Sequence, residues 1–280
     1  MLGSKAAGDY RLQLRGLQFN VRIAGRGAPM LWGHGLMGSL ESEQRLGWFG
    51  WQQPPPGVQL VRYDARGHGA SQASYTAQSY TWPNLAGDML ALADALGAER
   101  FIAGGASMGC VTALSAALKA PHRVRALVLV FVPNLWEARP AQSRSYKISA
   151  AKGRLLGGKG LAWLMSRTMP ERLPAWLLEA QPEAIPILRF GIGRLRARTL
   201  WHLLRGAAQS NLPPRGALGA LSDIPTTILT WTGDPAHPVA MAEQVHRLLP
   251  QSELFIARSH ADFLTFAPRI ASFIGRLPGA

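Results

Sequence analysis

The chain has 280 residues, 48% of them hydrophobic, and carries a net charge of +14 from 30 basic and 16 acidic side chains. That length can bury a sizeable core, and no apolar run approaches the ~20 residues a membrane-spanning helix requires. A single cysteine, Cys110, leaves no internal disulfide to form, and no cysteine–histidine cluster points to a metal. A chain without metal or cofactor, in a reducing cytoplasm, is therefore expected. The opening residues Met1-Leu2-Gly3-Ser4-Lys5 lack the apolar stretch of a secretion signal and agree with that placement.

Read in order, the chain predicts strands near 10–16 and 18–24 as an antiparallel entry, then a strand near 29–33 and a helix near 40–52. A strand near 58–63, a helix near 84–97, a strand near 100–105, a helix near 108–120 and a strand near 125–132 follow. After a long interruption come a strand near 226–232, a helix near 238–249, a strand near 253–257 and a helix near 263–276. Runs such as Val124-Arg125-Ala126-Leu127-Val128-Leu129-Val130-Phe131 are almost continuously apolar, as expected of parallel strands covered on both faces. Alternating strands and helices predict a doubly wound α/β sheet. Between Asn134 and Arg215 the alternation stops, and helical runs are separated by Pro170, Pro174, Pro182, Pro186 and Pro213-Pro214.

The most informative residues are Gly105-Ala106-Ser107-Met108-Gly109. G-x-S-x-G between a strand and a helix is the pattern of a nucleophile elbow, a turn so tight that the flanking positions must be small. A nucleophilic serine needs a base and an acid to orient it, in the chain order serine, acid, histidine. Asp234 follows the strand Thr226 to Trp231, and His260 lies 26 residues further on, in the polar connection Arg258-Ser259-His260-Ala261-Asp262. Among the later histidines, His202 and His246 fall inside helical patterns, whereas His260 stands in a loop after the strand-like run Leu254 to Ala257, where an imidazole can reach outward; Ser107, Asp234 and His260 are the expected triad. An oxyanion needs two donors. The Met108 N–H and the Leu36 N–H, in the turn Gly33-His34-Gly35-Leu36-Met37-Gly38, are the candidates. His34 is read as structural.

These segments, with Asp64-Ala65-Arg66-Gly67-His68-Gly69-Ala70-Ser71, resemble the α/β-hydrolase superfamily in its serine-nucleophile branch with a helical cap, the branch of carboxylesterases, enol-lactonases and carbon–carbon hydrolases. The resemblance covers nearly the whole chain outside the interruption. It implies a mostly parallel eight-stranded sheet with helices on both faces, a core of residues 1–133 and 216–280, and a cap of 134–215. It also implies that the Asp64–Ser71 segment is a structural loop near the active site. The family usually has glycine before its catalytic histidine, where this chain has Ser259. The implied activity is hydrolysis of a small to medium carboxylic ester through an acyl-enzyme. A carboxylate-bearing lactone or diketone is the alternative substrate, and acyl transfer or a non-catalytic receptor are further readings. A serine nucleophile argues against dehalogenase and epoxide-hydrolase chemistry, which needs aspartate at that position.

Residues 134–215 hold eleven arginines, three lysines and four glutamates, a net +10 of the chain's +14. Three readings apply: solvated arginines, arginines pairing with a substrate anion, or a cationic face for an anionic membrane surface or acidic partner. Nucleic-acid binding is not expected, because no recognisable binding module accompanies the charge. The expected partner is a small-molecule substrate entering near Trp136, Trp163, Trp176 and Trp201, with Trp136 and Trp201 the candidates for lining its pocket, although core packing is the alternative for such tryptophans.

Overall fold

The computed structural model describes residues 6–278. All eight predicted strands form, as one sheet: β1 (Gly8–Leu14), β2 (Leu17–Gly25), β3 (Ala28–Gly33), β4 (Val58–Tyr63), β5 (Phe101–Ala106), β6 (Val124–Val130), β7 (Thr226–Trp231) and β8 (Ser252–Ala257). Their order is β1-β2-β4-β3-β5-β6-β7-β8. Pairings β1–β2 and β2–β4 are antiparallel and the remainder parallel.

Side chains alternate across the pleat, so each central strand feeds two cores. Leu31, Phe101, Ala103, Leu127 and Leu129 face α2 (Trp82–Ala95) and α3 (Met108–Lys119). Met30, Trp32, Ile102, Val128 and Val130 face the aromatic layer that includes Phe263, Phe266 and Phe273. This two-sided burial is why these strands read as continuously apolar.

The helix expected over 40–52 is shorter. α1 (Leu40–Leu46) starts on a Ser39–Ser42 capping box and stops at Gly47, whose φ of +66° ends the helix in the left-handed region. The helix expected over 263–276 is two helices, described below with the site.

Between β6 and β7 the chain forms α4 (Arg139–Ser166), α5 (Ala175–Ala180), α6 (Ala184–Gly193) and α7 (Ala197–Gln209), with no strand among them. Leu161, Ile192, Leu200, Leu203 and Leu204 form their shared core. α4 is broken at Gly157, where φ is +67°. Gly158 lies so close to the Leu195, Ile192 and Gly193 carbonyls that no Cβ would fit.

Candidate active site

Ser107 and Asp234 both lie just beyond the carboxyl ends of parallel strands, β5 and β7, where open α/β sheets place their sites. Ser107 has φ +54° and ψ −108°, a conformation L-residues avoid. The elbow around it demands glycine. A Cβ on Gly109 would collide with the Gly33 backbone, and one on Gly105 with Gly109 and the Gly33 carbonyl. Strand β3 and helix α3 thus approach to backbone contact, which holds the serine in its strained state.

The imidazole that reaches Ser107 belongs to His237, not His260. His237 Nε2 lies 2.8 Å from Ser107 Oγ, and His237 Nδ1 lies 2.7 Å from Asp234 Oδ2. Asp234 Oδ2 also accepts from Trp231 Nε1 at 2.9 Å, and its Oδ1 from the Ala236 N–H at 2.8 Å. Burial opposes ionisation of Asp234, but the charge and hydrogen bonds of His237, with the Trp231 and Ala236 donors, outweigh it. The carboxyl therefore titrates below the usual aspartate range. A carboxylate only accepts, so His237 carries its proton on Nδ1 and presents Nε2 as an acceptor to the serine hydroxyl. Such a relay lets an oxygen lose its proton as it attacks.

His260 is expected in a loop reaching that position; instead it is the first residue of a helix. With α8 (Val239–Leu248) between β7 and β8, that helix is α9 (His260–Leu264), followed by α10 (Phe266–Gly275). The local reason is Ser259: its hydroxyl accepts from the Asp262 N–H at 3.1 Å, while Asp262 accepts from the Arg258 N–H at 2.9 Å. This cap ties down the segment where the glycine usual in the resembled family would leave it free. His260 Nε2 is buried and has no hydrogen-bond partner among the described residues. The signal for His237 was available in Asp234-Pro235-Ala236-His237-Pro238. An aspartate that accepts N–H groups two and three residues on folds that segment back on itself, bringing the imidazole to its own carboxylate.

Ser107 and His237 open into a cavity of about 240 Å³. Its walls include Leu36, Trp48 and Phe131, and its roof Met165, Met169 and Leu188 from the helices between β6 and β7. Neither Trp136 nor Trp201 lines it. Trp136 is buried beside the sheet, donating to the Pro213 carbonyl at 2.9 Å, and Trp201 lies between Arg154 and Arg205 in a separate cleft. Trp48 lies after α1, where a longer helix was expected, so its place in the wall was not legible.

The Asp64–Ser71 segment braces this site. Asp64 accepts from the Leu40 N–H at 2.7 Å and the Ala70 N–H at 2.9 Å. His34 Nε2 accepts from the Ala65 N–H at 3.0 Å, and His68 Nε2 from the Met37 N–H at 3.2 Å. Both imidazoles act as acceptors and are buried, which keeps them neutral. Burial depresses the His34 value, and burial with neighbouring His34 pushes His68 down to about 3. In the unfolded chain both protonate near pH 6.5. As pH falls below about 6.5 the unfolded state binds protons that the fold refuses, so stability declines. For His68 the decline continues towards pH 3, at up to ~1.4 kcal/mol per pH unit per histidine. Urea midpoints between pH 7 and pH 4.5 should therefore fall, with a shallower slope in His68→Gln; equal slopes would contradict this account.

A family model of the α/β hydrolase fold matches residues 28–179, more than half of the chain. The chain belongs to the α/β-hydrolase fold family. The proline iminopeptidase of Neisseria gonorrhoeae is 24% identical over 271 residues, covering 88% of this chain and 86% of that protein. Among solved structures, the enol-lactonase of Burkholderia xenovorans LB400 superposes with a TM-score of 0.80 at 20% identity, covering 95% of this chain and all of that one. A thermophilic esterase from Thermogutta terrifontis gives a TM-score of 0.77 at 22% identity over 96% and 97% of the two chains. The family and its relatives support an enzyme of the hydrolase type.

Proposed function

We propose that the protein is a serine hydrolase of small to medium carboxylic esters, working through Ser107, His237 and Asp234. The observation that carries this reading is the hydrogen-bonded relay from Ser107 Oγ through His237 to Asp234, opening on an apolar cavity. Ser107 Oγ attacks the ester carbonyl while His237 Nε2 takes its proton, and Asp234 stabilises the imidazolium. The Leu36 and Met108 N–H groups hold the oxyanion; Met37, next in the turn, already gives its N–H to His68. The alcohol leaves with the proton from His237, and water attacks the acyl-enzyme by the same route in reverse.

A cavity of about 240 Å³ is at the small end for ligand sites and suits short acyl groups. In this reading residues 134–215 are a cap over the core of residues 1–133 and 216–280, and the single cysteine fits a cytoplasmic location. Rates on p-nitrophenyl esters from acetate to decanoate, for wild type and Ser107→Ala, test the proposal. Turnover that favours short chains and disappears in the variant supports it; a folded, inactive wild type overturns it.

One observation favours the alternative of a carboxylate-bearing lactone or diketone. Arg172 is the one guanidinium or ammonium among the cavity-lining residues, and its side chain makes no ion pair among the described residues. A guanidinium at an apolar site is suited to a planar carboxylate. If the substrate is anionic, Arg172→Gln lowers kcat/KM for methyl hydrogen succinate about 10- to 100-fold and leaves methyl butyrate unchanged. Equal effects on both esters would remove the anionic substrate from consideration.

A further inference from the structure

We propose that the corner of the cap around Gly157 is a docking element for anionic lipid surfaces, independent of the chemistry at Ser107. Six large hydrophobic side chains are exposed among the described residues, and four of them, Ile148, Leu155, Leu156 and Trp163, lie on α4. Leu155 is 85% exposed. It sits two residues before the break at Gly157, where the left-handed φ turns the chain and Gly158 packs the corner against the α6–α7 connection. Ile148 and Leu155 are seven residues apart, two helical turns, and so share one face with exposed Lys152 between them. Exposed bulky apolar groups rimmed by polar residues mark an interaction surface.

The charge selects the partner. α4 has three arginines, three lysines and no acidic residue along its 28 positions. Of the fourteen cations in residues 134–215, only Arg194 and Arg215 form ion pairs among the described residues. Two clefts adjoin this helix. One is lined by Lys159, Arg189 and Arg194 around Phe190, the other by Arg154, Arg198, Trp201 and His202. Partial burial, followed by Arg198, Arg154 and Arg205, holds the His202 imidazole below its ordinary value, a local sign of concentrated positive potential.

Leucines and a tryptophan interleaved with one sign of charge, beside open cationic clefts, fit a bilayer. The apolar groups enter the headgroup boundary while the arginines and lysines take lipid phosphates and carboxylates. Arg167, whose guanidinium lies 4.1 Å from the Trp163 ring centre, can follow that ring to the interface.

The test is flotation of the full chain with vesicles of phosphatidylcholine alone or with ~30 mol% phosphatidylserine, for wild type, Leu155→Ser/Leu156→Ser and Arg154→Gln/Lys159→Gln. Wild type should float with the anionic vesicles and at least about tenfold less with neutral ones. Each double variant should weaken binding about tenfold while hydrolysing p-nitrophenyl acetate in solution as wild type does. Three results overturn the proposal. One is no flotation with anionic vesicles. Another is flotation that persists unchanged in Leu155→Ser/Leu156→Ser, which is adsorption by charge alone. The third is a dimer in sedimentation velocity that the leucine variant dissociates, which assigns the face to a second copy of the chain.

Discussion

Ser107→Ala should reduce hydrolysis of p-nitrophenyl acetate to the buffer rate, and Asp234→Asn should lower kcat about 10⁴-fold with little change in KM. The two losses have different origins. Ser107→Ala removes the oxygen that bonds to the substrate. Asp234→Asn keeps the size of the side chain but can present an N–H to His237 Nδ1, which favours the tautomer with its proton on Nε2, facing Ser107. That imidazole cannot accept the serine proton. Oδ1 still accepts the Ala236 N–H in the variant, so the turn should survive although Trp231 Nε1–H, which shares Oδ2 with His237, loses its acceptor, and the loss should fall on kcat. Single-turnover and steady-state rates across the ester series check this. An Asp234→Asn enzyme within tenfold of wild type would mean that the carboxylate does not orient the base.

The largest expected loss of stability is at Asp88. Its carboxylate on α2 accepts Arg66 Nε at 2.6 Å and Arg15 Nη1 at 2.8 Å, and its side chain is 2% exposed. Removing one partner of a buried pair leaves an uncompensated charge, at a cost of ~3–5 kcal/mol. Asp88→Ala strands the Arg66 guanidinium in a site that excludes water. The effect reaches the reaction as well. The Arg66 carbonyl accepts from His68 Nδ1, and His68 Nε2 holds the Met37 N–H, next to the Leu36 donor proposed for the oxyanion. Urea unfolding should show the destabilisation, and kcat at low temperature should fall even where the variant remains folded. A loss below ~1 kcal/mol would show that Arg66 finds another acceptor.

The sheet was legible because each central strand is covered on both faces, which forces long apolar runs and short glycine-rich turns into the sequence. Ser107 was legible for a related reason. The backbone contact of Gly33 with Gly109 allows no other residue there, so the constraint is written locally. Asp234 was placed by the strand that precedes it. The base was not. His260 follows a strand and stands in the expected order, but Ser259 and Asp262 cap a helix there, an outcome settled by two hydrogen bonds. His237 depends on a turn closing through Asp234 Oδ1, and a turn between two prolines gives no periodic signal. Trp136 and Trp201 are large aromatic groups whose partners Pro213 and Arg154 lie far away in the chain. Spacing alone does not say which tryptophans meet the cavity; in the structure they are Trp48 and Trp231.

The most direct test of the account is which histidine serves Ser107. His237→Gln and His260→Gln should be compared with wild type by the rate at which a fluorophosphonate labels Ser107, followed by intact mass and peptide mapping. The relay seen here predicts labelling of Ser107 in wild type and His260→Gln at similar rates, and labelling slower by at least about 10³-fold in His237→Gln. Fast labelling in His237→Gln together with its loss in a folded His260→Gln would contradict the assignment of the base to His237.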